Sequence, residues 1–274
     1  MNGIIVIDKE NGYTSFDVVA KMRRICGEKK IGHTGTLDPM ATGVLSILIG
    51  NATKAQSLLP ESDKEYEATF SFGITTDTLD ITGKVLSQTE SNVKSEDLEA
   101  VLPQFRGDIM QLPPMYSAIS KDGVRLYELA RKGIEIERKP RTVHINTLRV
   151  NDINLSDKQK TVTITVDCSK GTYIRTLCQD IVEKLSCGAC MESLLRTKVS
   201  EFCVQDALRL SEIEERVQKA AGQTPSEQWN AEMFDFIYAV DSVFLQYKKA
   251  VICKEWNKLL YNGNRMKKDM FVSY

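Results

Sequence analysis

Two short, almost wholly apolar runs at residues 3–7 and 44–49 constrain the fold of this 274-residue chain more than any other feature. Runs of this length that are rich in β-branched residues are typical of strands buried inside a sheet. Between them, Thr14 and Ser15 favour a helix N-terminus and precede a segment with helical spacing. A glycine-rich loop, GHTGTLDP at residues 32–39, then leads into the second run. The sequence therefore predicts a strand, a helix, a loop and a second buried strand.

The rest of the chain mixes further strands and helices without a regular βαβ rhythm. Extended segments are predicted at residues 66–73, 116–120, 142–150, 162–168 and 194–204. Helical spacing predicts helices at residues 52–59, 95–105, 124–132 and 172–185. Ser211 and Glu214 have capping-box spacing, which predicts the start of another helix. This mixture favours a mixed-sheet α+β architecture.

Charge is distributed unevenly although the formal net charge is only −1. Basic residues cluster at residues 21–30, at residues 121–141 and after residue 236. Such separation can build a basic face for phosphates, but on charge alone solvated helix faces are the favoured interpretation. No stretch approaches the about 18 consecutive apolar residues of a membrane helix, and the N-terminus lacks a basic leader. We therefore expect a cytoplasmic protein without membrane contact.

The seven cysteines form an odd, scattered set, which argues for reduced thiols and against a disulfide framework. Cys187 and Cys190 have the spacing of a metal-binding pair, but no second Cys or His pair completes a tetrahedral site. A redox pair would need an exposed thiol of low pKa, which sequence cannot reveal. We expect a structural role for both cysteines and no metal site.

The glycine-rich loop carries a single acidic side chain, Asp38, which Pro39 keeps out of helical geometry. One interpretation is an Asx-turn in which the carboxylate bonds its own backbone. Glycoside hydrolysis would need a second carboxylate, and no spacing ties Asp77 or Asp80 to Asp38. A phosphate-binding loop would need a lysine–serine/threonine ending that is missing here. A nucleophilic role stays open, because one ionised aspartate suffices for covalent catalysis.

Several motifs then follow one another along the chain. The loop GHTGTLDPMATGVL at residues 32–45 has IDK and TS upstream, and KEYEA at residues 64–68 precedes FG and TDTLD. Three more motifs complete the series: PPMYSA at residues 113–118, CSKGTYIR at residues 168–175, and Leu194 followed by Arg196 and Thr197. This ordered set, from residue 4 to about residue 204, resembles the TruB family of tRNA pseudouridine synthases.

The resemblance implies the pseudouridine synthase fold, with a mainly antiparallel central sheet and flanking helices. It implies a catalytic domain over residues 1–235 and a short RNA-binding module of the PUA type over residues 236–274, which is short for a complete module. The implied reaction converts uridine to pseudouridine at position 55, in the T-loop of tRNA, after base flipping and without a cofactor. The implied partner is the T-arm stem-loop of tRNA, with no guide RNA, and the protein is expected to be a monomer.

The resemblance also implies the roles of the catalytic residues. Asp38 matches the family's catalytic aspartate, although the sequence leaves open whether it attacks the ribose or the base. Arg175 matches the arginine that pairs with this aspartate, and a neighbouring cation favours an ionised carboxylate. Tyr66 matches the tyrosine that stacks on the target base and is a candidate for moving the C5 proton.

Four further residues are expected near the substrate. Leu194 matches an apolar residue of the uracil pocket, and His33 matches a histidine that helps to hold the extruded nucleotides. Tyr116 is expected to line the pocket, and Lys9 to support the active site structurally within the substrate-binding region. Three alternatives remain: a synthase that acts on another RNA, a tRNA-binding folding factor in which catalysis is secondary, and a glycoside-type hydrolase, which would need a second essential carboxylate.

Overall fold

The computed structural model describes residues 1–60, 63–156, 159–222, 233–245 and 247–273. Within these ranges the α-helices are α1 Ser15–Cys26, α2 Ser95–Val101, α3 Leu126–Arg131, α4 Ile174–Lys184, α5 Leu210–Ala221 and α6 Asn257–Tyr261. The longer strands are β1 Gly3–Lys9, β3 Thr42–Ile49, β4 Lys64–Phe72, β7 Gly107–Gln111, β10 Arg141–Ser156, β11 Gln159–Cys168 and β12 Ala189–Val199. The shorter strands are β2 Ile31–His33, β5 Ile74–Thr76, β6 Val85–Gln88, β8 Ser120–Lys121, β9 Val124–Arg125, β13 Phe202–Cys203, β14 Val251–Ile252 and β15 Phe271–Ser273.

One nine-stranded sheet organises the molecule, in the order β1-β3-β12-β4-β11-β10-β7, with β2 paired to β3 and β13 paired to β12. Every pairing in this sheet is antiparallel except that of β3 with β12, where Thr42 and Gly43 lie opposite Leu195 and Arg196. The predicted α+β fold with a mixed, mainly antiparallel sheet is therefore confirmed. No helix in the described part of the chain is long and apolar enough to cross a membrane.

The apolar runs of β1 and β3 are explained by burial on both faces of the sheet. Ile5 and Ile47 face the main core, where α1, α4 and α5 contribute apolar side chains. Ile4 and Leu48 face a second cluster on the opposite side. A strand covered on both faces has no reason to alternate polar with apolar residues, whereas half-covered β4 does alternate.

The start of α1 follows the prediction from Thr14. The Thr14 Oγ1 atom accepts a hydrogen bond from the backbone N–H of Asp17 at 3.1 Å, and the Asp17 carboxylate accepts one from Thr14 N–H at 2.8 Å. This reciprocal capping box satisfies two amide donors that the first helical turn leaves free. The helix ends at Gly27, whose φ of 63° suits a left-handed C-cap.

Two predicted elements are wrong in part. Residues 52–59 form a 3-10 helix over Gly50–Ala55 and then turns, where Thr53 Oγ1 donates to the Gly50 carbonyl at 2.8 Å. Residues 116–119 are not a strand, because the backbone bends there and the Tyr116 carbonyl accepts a hydrogen bond from Arg175. Both departures arise from hydrogen bonds that compete with regular secondary structure.

Helix α5 begins earlier than its capping pattern predicts. Glu212 accepts a hydrogen bond from the Arg209 backbone N–H at 2.7 Å, so α5 begins at Leu210 and Ser211 lies inside it. The two hydrogen bonds that join Leu208 to Val6 and Asp8 of β1 fix the chain just before this point. The N-cap of α5 is therefore Arg209, two residues before the Ser211 that the capping pattern predicts, because the pairing of Leu208 with β1 fixes the chain there.

The segment that follows the predicted domain boundary contacts the sheet. Tyr238 forms an isolated antiparallel bridge with Ile4, and Val243 packs in the cluster behind β1 and β3. Beyond residue 247, β14 and β15 pair with each other in a small antiparallel ribbon. The division between residues 235 and 236, and the PUA-type character of the C-terminal segment, stay predictions.

Gly43 is where β3 approaches β12 most closely. Its φ is 95°, and an added Cβ would meet the carbonyl oxygen of Arg196 well inside van der Waals contact. We expect Gly43→Ala to lower the free energy of unfolding by about 3 kcal/mol or more, since a left-handed penalty adds to overpacking. Gly27→Ala is the matched control, because its φ is also positive but its Cβ would meet nothing within 4 Å. That control should cost about 1 kcal/mol in urea unfolding. Equal losses in the two variants would contradict the close approach.

Candidate active site

An open cleft of about 340 Å³ lies where the glycine-rich loop, β4, β12 and the start of α4 meet. Its lining combines residues that are distant in sequence, among them Asp38, Tyr66, Leu194 and Arg175. Asp38 is the only carboxylate among the described residues that line it. The sheet thus brings four of the predicted site residues into one cavity.

The loop that carries Asp38 is fixed from several directions. The Leu37 N–H donates to Ser15 Oγ at 2.9 Å, and the buried Leu37 side chain anchors the loop in the core. The Pro39 carbonyl accepts hydrogen bonds from Gly12 N–H at 2.9 Å and from Lys9 Nζ at 3.2 Å. These contacts leave the Asp38 side chain 34% exposed at the floor of the cleft. The loop therefore presents one carboxylate from an otherwise immobilised backbone.

Arg175 binds the Asp38 carboxylate through two of its N–H donors. Its Nε lies 3.0 Å from Asp38 Oδ2, and its Nη2 lies 3.1 Å from Asp38 Oδ1. A guanidinium that faces both carboxylate oxygens fixes their orientation as well as supplying a counter-charge. Among the described residues, Arg175 is the group that binds the Asp38 carboxylate. The carboxylate therefore does not form the Asx-turn that the sequence left open.

Two further donors of Arg175 bind backbone carbonyls. Nη1 donates to the Thr78 carbonyl at 2.9 Å, and Nη2 donates to the Tyr116 carbonyl at 2.8 Å. The Arg175 side chain is only 6% exposed. A buried guanidinium is tolerated when its donors are hydrogen-bonded and its charge is compensated.

Asp80 completes this compensation, a role that the sequence did not reveal. Its Oδ2 lies 3.8 Å from Arg175 Nη1, and its Oδ1 accepts hydrogen bonds from Thr78 Oγ1 at 2.9 Å and from Thr82 N–H at 3.0 Å. Because Asp80 is buried behind the arginine and does not line the cleft, it cannot act as a second catalytic carboxylate across a substrate. This arrangement disfavours glycosidase chemistry, which needs two carboxylates facing the scissile bond.

Tyr66 and Leu194 form the apolar wall of the cleft from the adjacent strands β4 and β12. Burial raises the pKa of the Tyr66 phenol above its usual value, and the nearby Arg196 charge partly offsets this effect. The phenol is therefore neutral at pH 7. A flat aromatic side chain beside an aliphatic one suits a base that has left its stack.

Arg196 is a second buried arginine for which sequence analysis assigned no role. It is 1% exposed and lines the cleft. Its Nε donates to the Val44 carbonyl at 2.7 Å, and Nη2 donates to the Gly35 carbonyl at 3.2 Å. It therefore ties β12 to the glycine-rich loop. Its position two residues after Leu194 on a predicted strand was a usable signal that its side chain points to the same face.

Lys9 lies beneath the loop and not in the cleft. Its ammonium is fully buried and donates to the carbonyls of Tyr13 at 2.7 Å, Glu10 at 3.0 Å and Pro39 at 3.2 Å. Burial lowers the pKa of Lys9 to about 8, and Asp38 opposes this shift. These contacts anchor the loop that carries Asp38, and any role of Lys9 toward the substrate stays a prediction.

Two other predicted residues lie at the edges of the site. Tyr116 contributes its backbone carbonyl to Arg175, while the following residues Ser117, Ala118 and Ile119 line the cleft in its place. His33 lies on β2 just before the lining begins, with its ring edge-on to the exposed Phe16 at a centroid distance of 6.0 Å. Burial lowers the pKa of His33, with a contribution from Arg196, so the imidazole is neutral at pH 7.

Cys187 and Cys190 do not line the cleft. Cys187 and Cys190 are free thiols, and burial raises the pKa of both. Across the described residues, no group of three or more His, Cys, Asp or Glu side chains is placed to hold a metal ion.

Comparison with solved structures gives the class of protein. A Cbf5-Nop10-Gar1 complex contains a chain of similar fold, with a TM-score of 0.73 and 25% identity over 98% of this chain and 69% of that one. The H/ACA RNP bound to a substrate RNA containing 2′-deoxyuridine matches the fold with a TM-score of 0.72 and 23% identity, over 98% of this chain and 69% of that chain. The fold is that of the pseudouridine synthases.

Sequence comparison narrows this class to one family. Residues 23–174 match the TruB family pseudouridylate synthase (N terminal domain), and residues 175–245 match the tRNA pseudouridylate synthase B C-terminal domain. The chain is 49% identical over 99% of its length to tRNA pseudouridine synthase B of Lachnoclostridium phytofermentans, covering 86% of that protein. It is 43% identical over 97% of its length to the Clostridium novyi enzyme of the same name, again covering 86%. The chain belongs to the TruB family and is an RNA pseudouridine synthase, an isomerase.

The contacts of Lys9 predict the effect of removing its charge. Lys9→Met keeps the length of the side chain but leaves three backbone carbonyls without their donor. We expect the free energy of unfolding to fall by about 3 kcal/mol, and kcat to fall because Pro39 neighbours Asp38. The exposed Lys29 gives a control, since Lys29→Met should change stability by less than about 0.5 kcal/mol. Urea unfolding and steady-state kinetics measure both effects, and unchanged stability of Lys9→Met would refute the buried-anchor role.

Proposed function

We propose that this protein isomerises a uridine in the T-loop of tRNA, with Asp38 as the nucleophile. The observation that carries the proposal is the bidentate Asp38–Arg175 pair, which aims the only carboxylate of the described lining into the cleft. The names of the relatives, tRNA pseudouridine synthase B, support tRNA as the substrate. We propose further that it works in the cytoplasm as a monomer, without a guide RNA.

The geometry suggests how the chain would divide the work. The target uridine would leave its stack and enter the cleft between Tyr66 and Leu194, whose contacts offset part of the unstacking cost. Asp38 would form a covalent bond either to ribose C1′ or to the pyrimidine ring. The N1–C1′ bond breaks, the base turns, and C5 bonds to C1′. The bond to Asp38 breaks as well, so that the carboxylate is regenerated. The hydrogen on C5 then leaves as a proton, and N1 takes up a proton, so no redox cofactor is needed.

The C-terminal segment would add affinity for the RNA. This segment has a basic character because it contains Lys248, Lys249, Lys254 and Lys258. The strands β14 and β15 carry no acidic residue that would neutralise this charge. We propose that residues 236–274 act as a short RNA-binding module beside the catalytic domain of residues 1–235. Binding should weaken with salt, because phosphate contacts release counterions.

Tritium release from a T-arm RNA labelled at uracil C5 tests the proposed reaction. Formation of the C5–C1′ bond must expel this hydrogen, whereas binding or base hydrolysis need not. We expect release by the wild type and a loss of at least about 1000-fold in Asp38→Asn, because the amide cannot serve as an anionic nucleophile. RNA affinity of Asp38→Asn serves as the control for folding and should stay within about threefold of wild type. A wild type that binds the T-arm but releases no tritium would overturn the proposal.

The lowered pKa of Lys64 predicts that RNA binding depends on pH. It lines the cleft, and burial together with the Arg196 charge lowers its pKa to about 8. An RNA phosphate beside it would favour the charged form, so binding is strongest below pH 8 and weakens as pH rises through the free-protein pKa. We expect affinity, measured by fluorescence anisotropy, to fall about threefold between pH 7 and pH 9.

The assignment to Lys64 is checked with two variants at the same rim. Lys64→Gln should weaken binding and flatten its dependence between pH 7 and pH 9. Lys170→Gln removes a second cation that lines the cleft and should weaken binding while leaving that dependence intact. A Lys64→Gln protein with the pH profile of the wild type would contradict the assignment.

A further inference from the structure

Strand β7 ends in a buried polar residue, Gln111. Of the five residues of this strand, Gln111 alone is fully buried, with 1% of its surface exposed, although β7 is an edge strand of the sheet. A buried amide group is tolerated when its donor and its acceptor both find hydrogen-bond partners. The partners of Gln111 therefore show what this side chain holds in place.

The Gln111 side chain binds the backbone of one residue, Tyr173. The Tyr173 N–H donates to Gln111 Oε1 at 2.9 Å, and Gln111 Nε2 donates to the Tyr173 carbonyl at 3.2 Å. Tyr173 is the N-cap of α4, and in the described part of the chain its own side chain forms no capping hydrogen bond. The Gln111 amide thus fixes the peptide groups on both sides of Tyr173, at the point where α4 begins.

Arg175 lies two residues after this N-cap, in the first turn of α4. Its Nη2 donates to the Tyr116 carbonyl at 2.8 Å, so the segment from Gln111 to Tyr116 is joined to the start of α4 at both of its ends. Two prolines restrict the backbone between these two attachments. The next residues, 117–119, line the cleft. One connected unit therefore carries both the arginine and part of the cleft wall.

We propose that Gln111 is a positioning residue for the reaction. By fixing the N–H and the carbonyl of Tyr173, it holds the Arg175 guanidinium where Nε lies 3.0 Å from Asp38 Oδ2. Gln111 does not line the cleft, so its effect on turnover passes through Arg175. The inference rests on the proposed function, since it takes the pair of Asp38 and Arg175 as the catalytic one.

The contact requires a donor and an acceptor in the same side chain, which suggests two variants. Gln111→Leu removes both groups and keeps a similar volume. Gln111→Glu keeps an acceptor for the Tyr173 N–H, but only a protonated carboxyl can donate to the Tyr173 carbonyl. Burial raises the pKa of such a carboxyl, so its protonated form becomes populated as the pH falls toward neutral and below. Gln111→Glu should therefore recover function at low pH.

Tritium release from the C5-labelled T-arm RNA measures turnover. We expect Gln111→Leu to lower kcat by about 100-fold, as when a reacting group is misplaced by about 1 Å, and to change KM by less than about threefold. For Gln111→Glu, the ratio of its kcat to that of the wild type should fall by about tenfold between pH 6 and pH 9. Gln88→Glu, the same substitution at an exposed position of β6, should give a ratio that does not change with pH.

Hydrogen exchange of arginine side chains tests the position of Arg175 without turnover. The Nε–H signals of Arg175 and Arg196 are followed by NMR and assigned by their loss in Arg175→Lys and Arg196→Lys. In Gln111→Leu, exchange of Arg175 Nε–H should become at least about tenfold faster. Exchange of Arg196 Nε–H, which donates to the Val44 carbonyl at 2.7 Å, should stay within about twofold, whereas a general loosening of the fold would accelerate both.

Four results would each overturn the positioning role: equal acceleration of both arginines, unchanged exchange of Arg175, a wild-type kcat in Gln111→Leu, or a pH-independent ratio for Gln111→Glu. If Gln111→Leu does not fold, Gln111→Glu decides. If the wild type releases no tritium while exchange of Arg175 accelerates selectively, the proposed reaction fails and the positioning role stands. If tritium is released and exchange of Arg175 is unchanged, the reverse holds.

Discussion

The ion pair between Asp38 and Arg175 is the interaction on which the rest of the site depends. Arg175 is almost fully buried, so its charge is tolerated only while Asp38, Asp80 and two backbone carbonyls surround it. These partners come from the glycine-rich loop, the turn after β5 and the irregular segment before β8. The guanidinium therefore makes the positions of three distant segments depend on one another. An error in any of them would leave a buried charge unpaired.

The loop around Asp38 is held mainly through its backbone. Arg196 bonds the carbonyls of Gly35 and Val44 from one side, and Lys9 bonds that of Pro39 from the other. Hydrogen bonds to charged donors are each worth about 1.5–3 kcal/mol, more than neutral ones. Because these cations engage carbonyl oxygens, they fix the loop without competing for the carboxylate. This division leaves the Asp38 side chain as the part of the loop that is free to meet a substrate.

Much of the fold could be predicted from the sequence, because local patterns and burial agree in β1, β3, β4 and α1. The shifted start of α5 and the bend at Tyr116 share one cause, a partner distant in sequence, whereas residues 52–59 depart from a regular helix through the local hydrogen bond of Thr53 with Gly50. Pairing of Leu208 with β1 shifts the start of α5, and Arg175 bends the backbone at Tyr116. The roles of Asp80 and Arg196 could not be predicted for the same reason. Sequence spacing alone cannot show that a side chain contacts a group more than 90 residues away. The motif resemblance supplied Asp38, Arg175, Tyr66 and Leu194, and the fold places all of them in one cleft.

The cleft is far more cationic than the whole chain. Among the described residues, Lys64, Lys170, Arg175 and Arg196 line it together with a single carboxylate, although the net charge of the protein is −1. Clefts lined by one sign of charge focus the field and attract ligands of the opposite sign. An aspartate carboxylate at the floor would ordinarily repel a polyanion such as RNA. The bidentate contact with Arg175 compensates that charge where it lies, so the field at the mouth is set by the lysines. One arginine thus compensates a carboxylate that would otherwise oppose an anionic substrate.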